Sequence, residues 1–168
     1  MLRLLALTLV VAAPASAQFA ILPYGGYDLE VESPLVGVAL EVGVPIPLPV
    51  DIAIRPSAEF VVPKEFVMRD RIFNEEVLQA NLDVVASFGV TALRPYIGAG
   101  LSYTATELDT ADDDAVEGDQ DSASSGIGAN VLAGVTYGTG LIAPFAQVRA
   151  SAGDRTAVAV MGGLRIGF

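Results

Sequence analysis

The chain has 168 residues, 52% of them hydrophobic and only 17% charged, with a formal net charge of −11. It contains no cysteine and no histidine, which excludes disulfide frameworks, thiolate and imidazole metal sites, and Ser-His or Cys-His nucleophilic mechanisms. The acidic balance argues against nucleic acid as a partner, and since a soluble domain carries about 25% charge, something other than water is expected to cover much of this surface.

Residues 1–17 have the anatomy of a cleaved secretory leader: one positive charge at Arg3, an apolar run over 4–13, and the small-residue site Ala15-Ser16-Ala17 before Gln18. The apolar run is shorter than the roughly 20 residues that a spanning helix needs. The expected mature unit is residues 18–168, a single domain whose charge becomes −12 once Arg3 is removed from the total of −11.

Eight segments then alternate with a period of two, at 19–30, 35–45, 50–62, 76–88, 94–107, 126–138, 141–152 and 156–168. Each is long enough to cross a bilayer as a tilted strand, which takes about 9–11 residues. The first is the least regular, because Pro23, Gly25 and Gly26 interrupt it. In the second, Val36, Val38, Leu40, Val42 and Val44 oppose Gly37, Ala39, Glu41 and Gly43; in the third, Ile52, Ile54, Ala58 and Phe60 oppose Ala53, Arg55, Ser57 and Glu59. The fourth sets Leu78, Ala80, Leu82, Val84 and Ala86 against Gln79, Asn81, Asp83 and Ser87. The fifth sets Ile97, Ala99, Leu101 and Tyr103 against Tyr96, Gly98, Gly100 and Ser102. The stretch 122–148 is uncharged but carries Gly126, Gly128, Gly134, Gly138, Gly140 and Pro144, a poor helix, and reads as two strands about a glycine-rich turn. The last segment puts Val158, Val160, Leu164, Ile166 and Phe168 on one face and Ala157, Ala159, Met161, Gly163 and Arg165 on the other.

The links alternate too. Those at 45–49, 89–93 and 139–140 are short and nearly uncharged, while those at 31–34, 63–75, 108–125 and 153–155 hold most of the loop charge. Short turns on one side and longer loops on the other are the pattern of bacterial outer-membrane barrels, with both termini on the periplasmic side. A soluble eight-stranded barrel is the rival, but its solvated face would be the one rich in glycine and alanine, which suits a crowded lumen better than a charged exterior. The expected fold is therefore all-β, an eight-stranded antiparallel up-and-down transmembrane β-barrel.

The segment Arg94-Pro-Tyr-Ile-Gly-Ala-Gly-Leu-Ser-Tyr103 and the ending Gly162-Gly-Leu-Arg-Ile-Gly-Phe168 resemble the small outer-membrane β-barrel superfamily of OmpX-like, opacity-type and OmpA-type transmembrane domains. The resemblance covers essentially all of residues 18–168 and concerns architecture. It implies an outer-membrane location, a lipid environment, and a terminal Phe168 similar to the signal read by the barrel-assembly machinery. The chain stops at the barrel, so the wall-tethering role of full-length OmpA-type proteins is not carried over.

Four sets of residues are candidates for function. The strand phases send Glu41, Arg55, Glu59, Asp83, Arg149 and Arg165 into the lumen, where charges must pair. An eight-stranded bore is only just filled by side chains, so a neutralised plug is expected in preference to a gated ion path through the same charges. The run holding Asp109, Asp112, Asp113, Asp114, Glu117, Asp119 and Asp121 reads as a solvated acidic loop; weak divalent-ion binding is its functional alternative, although its spacing does not match an EF-hand. Tyr24, Tyr27, Tyr103, Tyr137, Phe19, Phe88 and Phe168 are expected near strand ends as an aromatic girdle. The outer loops themselves are expected to carry a structural or surface-interaction role with an unidentified ligand. A small porin-like or lateral channel is the alternative, with no enzyme activity and no cofactor expected.

Overall fold

The structure is a computed structural model that describes residues 19–68, 71–89, 92–110, 122–153 and 156–168, with backbone alone at 63–68, 71–76, 107–110 and 122–123. Eight strands follow in chain order: β1 (Phe19–Asp28), β2 (Ser33–Val44), β3 (Asp51–Met68), β4 (Arg71–Ser87), β5 (Leu93–Thr110), β6 (Ser122–Tyr137), β7 (Ile142–Gly153) and β8 (Ala157–Gly167). Each pairs antiparallel with its chain neighbours, and β1 returns onto β8 to close the barrel. Closure leaves no open edge within the paired wall, which is the condition for a sheet in hydrocarbon, where no water satisfies free N–H and C=O groups.

Alternation decides which side chains face which medium. Along β7 the odd positions Ala143, Phe145, Gln147, Arg149 and Ser151 are buried, while the even positions between them are exposed. Outside, Leu40, Ile54, Leu82, Leu101, Val131, Val148 and Leu164 are exposed on the successive strands β2 to β8, so the wall presents an apolar belt. Inside, apolar and ionic residues share the space. Leu22, Ala39 and Phe145 pack with Ala20, Val85 packs with Tyr96 and Leu132, and Leu35, Val61 and Val77 pack with Ala159 and Met161. An apolar exterior around a partly ionic interior inverts the arrangement of a water-soluble barrel.

Two differences from the sequence reading concern strand extent. Despite Pro23, Gly25 and Gly26, β1 is continuous; the ladder to β8 merely has no pair at Leu22 and Pro23, as befits a residue without an N–H. The link expected over 63–75 is mostly strand, because β3 runs on to Met68 and β4 starts at Arg71, with Phe66 opposite Phe73 and Val67 opposite Ile72. Aromatic and β-branched residues on both arms favour that extended hairpin over a coil. A register shift between Val61 and Lys64, spanning Pro63, marks where the hairpin leaves the barrel wall. In the same way β5 extends to Thr110 and β6 begins at Ser122, shortening the link expected over 108–125.

Two tyrosines are held over glycines on the neighbouring strand. Tyr24 lies directly opposite Gly37, and a Cβ at Gly37 would sit 2.6 Å from the ring; Tyr96 lies opposite Gly134 with a corresponding distance of 2.5 Å. Each glycine thus makes room for a ring that fills the bore. Tyr24 also meets Phe145 edge-on, with centroids 6.3 Å apart, so it belongs to the interior and not to an aromatic girdle. The other six candidates, Phe19, Tyr27, Phe88, Tyr103, Tyr137 and Phe168, are exposed. Replacing Gly134 with Val should displace Tyr96 and lower stability by about 1–3 kcal/mol, the usual range for overpacking. Denaturant unfolding in lipid vesicles checks this, and unchanged stability would show that Tyr96 has space elsewhere.

Candidate functional site

The mid-lumen is assembled from inward positions of β2 through β8. Glu41 sits between two guanidinium groups, with Arg55 Nη2 2.5 Å from Oε2 and Arg165 Nε 2.9 Å from Oε1. Arg55 also donates to Gln147 Oε1 at 3.1 Å, as does the Tyr96 hydroxyl, and the Arg55 guanidinium lies 4.8 Å from the Tyr96 ring centre. These residues form the periplasmic layer of the cluster.

A second layer lies toward the outer side. Arg149 pairs with Glu59, both almost fully buried. Glu59 accepts a 2.6 Å bond from Asn81 Nδ2, which also reaches Ser57 Oγ at 3.1 Å. Asn81 Oδ1 in turn accepts from Gln79 at 2.8 Å and from Asn130 at 3.1 Å. Asp83, 2% exposed, lies opposite Arg55 in the β3–β4 register, and its Oδ1 has no hydrogen-bond partner among the described residues.

The six charges named from the sequence are therefore all inward, and five of them form direct ion pairs, with Asp83 beside Arg55 in register. The three arginines match the three carboxylates in charge, but unevenly: the periplasmic layer has two arginines to one carboxylate, the outer layer one arginine to two. Reading charge alone missed the neutral members. Tyr96, Asn81, Gln147 and Asn130 complete the network, and their signal was a polar side chain in the lumen phase of a strand already carrying an ion. A further ion pair, Arg94 with Asp51, sits at the periplasmic rim; Asp51 begins β3 and Arg94 follows the first residue of β5.

Through the middle of this cluster the free space shrinks to a cavity of about 10 Å³ bounded by Tyr24, Arg55, Asp83, Phe145 and Arg149, room for about one water molecule. A vestibule of about 250 Å³ opens below it and one of about 400 Å³ above it. Of the acidic run, residues 111–121 lie outside the described residues, and Asp109 is described only as a β5 backbone position opposite Asn74. No group of three or more metal-ligating acidic side chains occurs among the described residues. Phe168 is fixed by its backbone N–H, which donates to Phe19 O at 2.8 Å, while its side chain is exposed.

With this wall and bore, solved structures provide the comparison. The N-terminal β-barrel domain of Pseudomonas aeruginosa OprF superposes with a TM-score of 0.61 at 19% identity, covering 90% of this chain and 97% of that one. The fold is that of the small outer-membrane β-barrels. Yersinia pestis Ail, solved in complex with the heparin analogue sucrose octasulfate, matches with a TM-score of 0.62 at 12% identity over 90% of this chain and 99% of that one. The outer membrane enzyme PagL matches at 0.50 and 12% identity, over 87% and 97% of the two chains. No protein-family model and no curated protein sequence matches the chain. Identities this low establish architecture, and the architecture is shared by enzymes and non-enzymes.

Removing one partner from a buried ion pair leaves the other charge uncompensated. Glu41→Ala should therefore destabilise the barrel by about 3–5 kcal/mol, whereas the double change Glu41→Ala with Arg55→Leu should recover part of that loss. Urea unfolding in vesicles measures both, and an additive double variant would show that the pair does not couple.

Proposed function

We propose that this chain is a non-enzymatic bacterial outer-membrane barrel whose working surface is the sheet that β3–β6 project beyond the rim, together with the outer loops. The observation that carries this reading is the mismatch in pairing at the outer end. The β2–β3 ladder stops at Leu35 opposite Val61, and the β6–β7 ladder stops at Gly128 opposite Gly153. The β3–β4 ladder continues to Met68 opposite Arg71, and the β5–β6 ladder to Leu108 opposite Ser122. A four-stranded sheet therefore stands above the barrel, reaching along β3 about 20 Å past Val61 at the usual strand rise. Among the described residues, its two outer edges, β3 beyond Val61 and β6 before Gly128, have no neighbouring strand in the barrel ladder.

Unpaired strand edges offer rows of backbone donors and acceptors that an extended segment of another protein can complete. Nothing in barrel closure requires these extensions, so their length is better explained by contact with an external partner than by stability. The remaining parts of the reading follow from the chain's chemistry. The apolar belt suits outer-membrane lipid, residues 1–17 suit export, and the exposed terminal aromatic Phe168 suits recognition by the barrel-assembly machinery. The chain has no histidine, so the usual serine-histidine hydrolytic dyad cannot be built. A small channel is the second reading, favoured only by the two vestibules; the ionic cluster between them supports a closed bore, and single-channel recordings are expected to lack sustained open events.

Shortening the β3–β4 hairpin by deleting residues 64–75 should leave the barrel folded, as read by heat-dependent gel migration, while abolishing cell-surface adhesion conferred by the expressed protein. Full adhesion by the shortened, folded barrel would reject the projecting sheet as the working surface.

A further inference from the structure

Positive charge prevails in the periplasmic vestibule, although the chain carries a net charge of −11. This cavity of about 250 Å³ is lined by Arg55, Arg94 and Arg165 against Glu41 and Asp51, so guanidinium groups outnumber carboxylates. Asp83, opposite Arg55 in the β3–β4 register, lines the central cavity and not this one. The undescribed residues that connect to this end of the barrel are 1–18 and 90–91, and Arg3 is the only charged side chain among them. No acidic side chain left out of the count therefore offsets the excess.

The arginines also have donors to spare. Glu41 is engaged at both oxygens, Oε2 by Arg55 Nη2 at 2.5 Å and Oε1 by Arg165 Nε at 2.9 Å. Arg165 pairs through Nε alone, so Nη1 and Nη2 have no partner among the described residues. They lie toward the mouth: a Cβ added at Gly167, two residues further along the same inward face, would sit 3.3 Å from Nη1. Ala143, opposite Arg165 on β7, has no polar side chain to engage them. Arg165 keeps 19% of its side chain exposed to the vestibule. Arg94 on β5 faces the same space from three strands away in the barrel order. Its pair with Asp51 is open to solvent, with side-chain exposures of 32% and 73%, and an exposed pair holds its members weakly. Ser87, Thr136 and Thr139 add hydroxyl groups to the lining.

We propose that the periplasmic vestibule binds a phosphate group, with Arg165 and Arg94 as its principal ligands. A guanidinium can give two parallel N–H bonds to an oxyanion, and two guanidinium groups on different walls suit a tetrahedral ion that offers oxygens in several directions. A planar carboxylate presents only two oxygens and cannot engage both forks in that way. Serine and threonine hydroxyls can donate to the oxygens that remain. The volume lies below the roughly 300–1,000 Å³ of drug-sized ligand sites, as befits one small ion or headgroup. Because the vestibule opens to the periplasmic side, the anion keeps part of its hydration, which limits the cost of bringing a charge into the bore. The site lies at the opposite end of the barrel from the projecting sheet and stands or falls without it.

The test is an NMR titration of the folded, isotope-labelled barrel in uncharged detergent micelles at neutral pH. Sodium phosphate is compared with sodium chloride and sodium acetate at matched ionic strength. Phosphate should shift the Nε–H resonances of Arg165 and Arg94 saturably and leave the amides of Ser102 and Ser151 in the outer vestibule unmoved. Arg165→Gln and Arg94→Gln should each weaken phosphate binding about tenfold, the effect of losing a charge-assisted bond, and Thr104→Val in the outer vestibule should leave it unchanged. Heat-dependent gel migration establishes that each variant is folded, and Arg94→Gln, which alters only an exposed rim pair, keeps the test decisive if Arg165→Gln unfolds. Parallel spectra in phosphatidylcholine nanodiscs with and without phosphatidylglycerol separate the sources: a shift with inorganic phosphate supports a soluble ligand, and the same shift produced by phosphatidylglycerol supports a lipid headgroup. The proposal is overturned by the absence of a saturable shift from either source, by chloride or acetate acting as strongly as phosphate, or by binding indifferent to the arginine changes.

Discussion

The closed backbone ladder is the constraint on which the rest of this structure depends. A strand in hydrocarbon must have its N–H and C=O groups bonded to neighbouring strands, since an unsatisfied group costs several kcal/mol there. Eight strands satisfy one another only when β1 meets β8, and once they do, every side chain of the barrel wall faces either lipid or a narrow bore. The apolar belt, the packed lumen and the need to pair every inward charge all follow from that geometry. So does the tolerance of Pro23, whose missing donor removes only local pairing from a ladder that is otherwise continuous.

The bore solves its packing problem in three ways along its length. Near the periplasmic end, Val85, Tyr96 and Leu132 pack together while Glu41, Arg55 and Arg165 neutralise one another. Further out, Arg149, Glu59 and the amides of Asn81 and Asn130 form a buried polar layer. Outermost, small hydroxyl residues leave space unfilled. Ionic and amide layers of this kind fill the middle of the bore and hold strands in register, because a one-residue slip would carry Arg55 or Glu59 to the lipid face.

Much of this was legible in the sequence, because side-chain alternation is a strict period of two and most of the chain keeps it. The inward phase of Glu41, Arg55, Glu59, Asp83, Arg149 and Arg165 could be read without any knowledge of pairing. What could not be read was register, which decides that Glu41 serves both Arg55 and Arg165, and that Tyr24 and Tyr96 lie over Gly37 and Gly134. Cross-strand partners come from distant parts of the sequence, and alternation is silent about them. The projecting hairpin was missed for a different reason: charged residues from Lys64 to Glu76 and the bulge at Pro63 mask the alternation of strands that have left the membrane.

The claim that the wall faces lipid is open to one direct measurement. The chain has no native cysteine, so single cysteines at Leu40, Leu82, Leu101, Val131, Val148 and Val160 can carry spin labels around the full circumference. In reconstituted bilayers the account predicts that all six labels relax strongly with dissolved oxygen and weakly with a water-soluble nickel chelate. Strong relaxation by the nickel chelate at these positions would mean that water covers the belt, and would contradict the account.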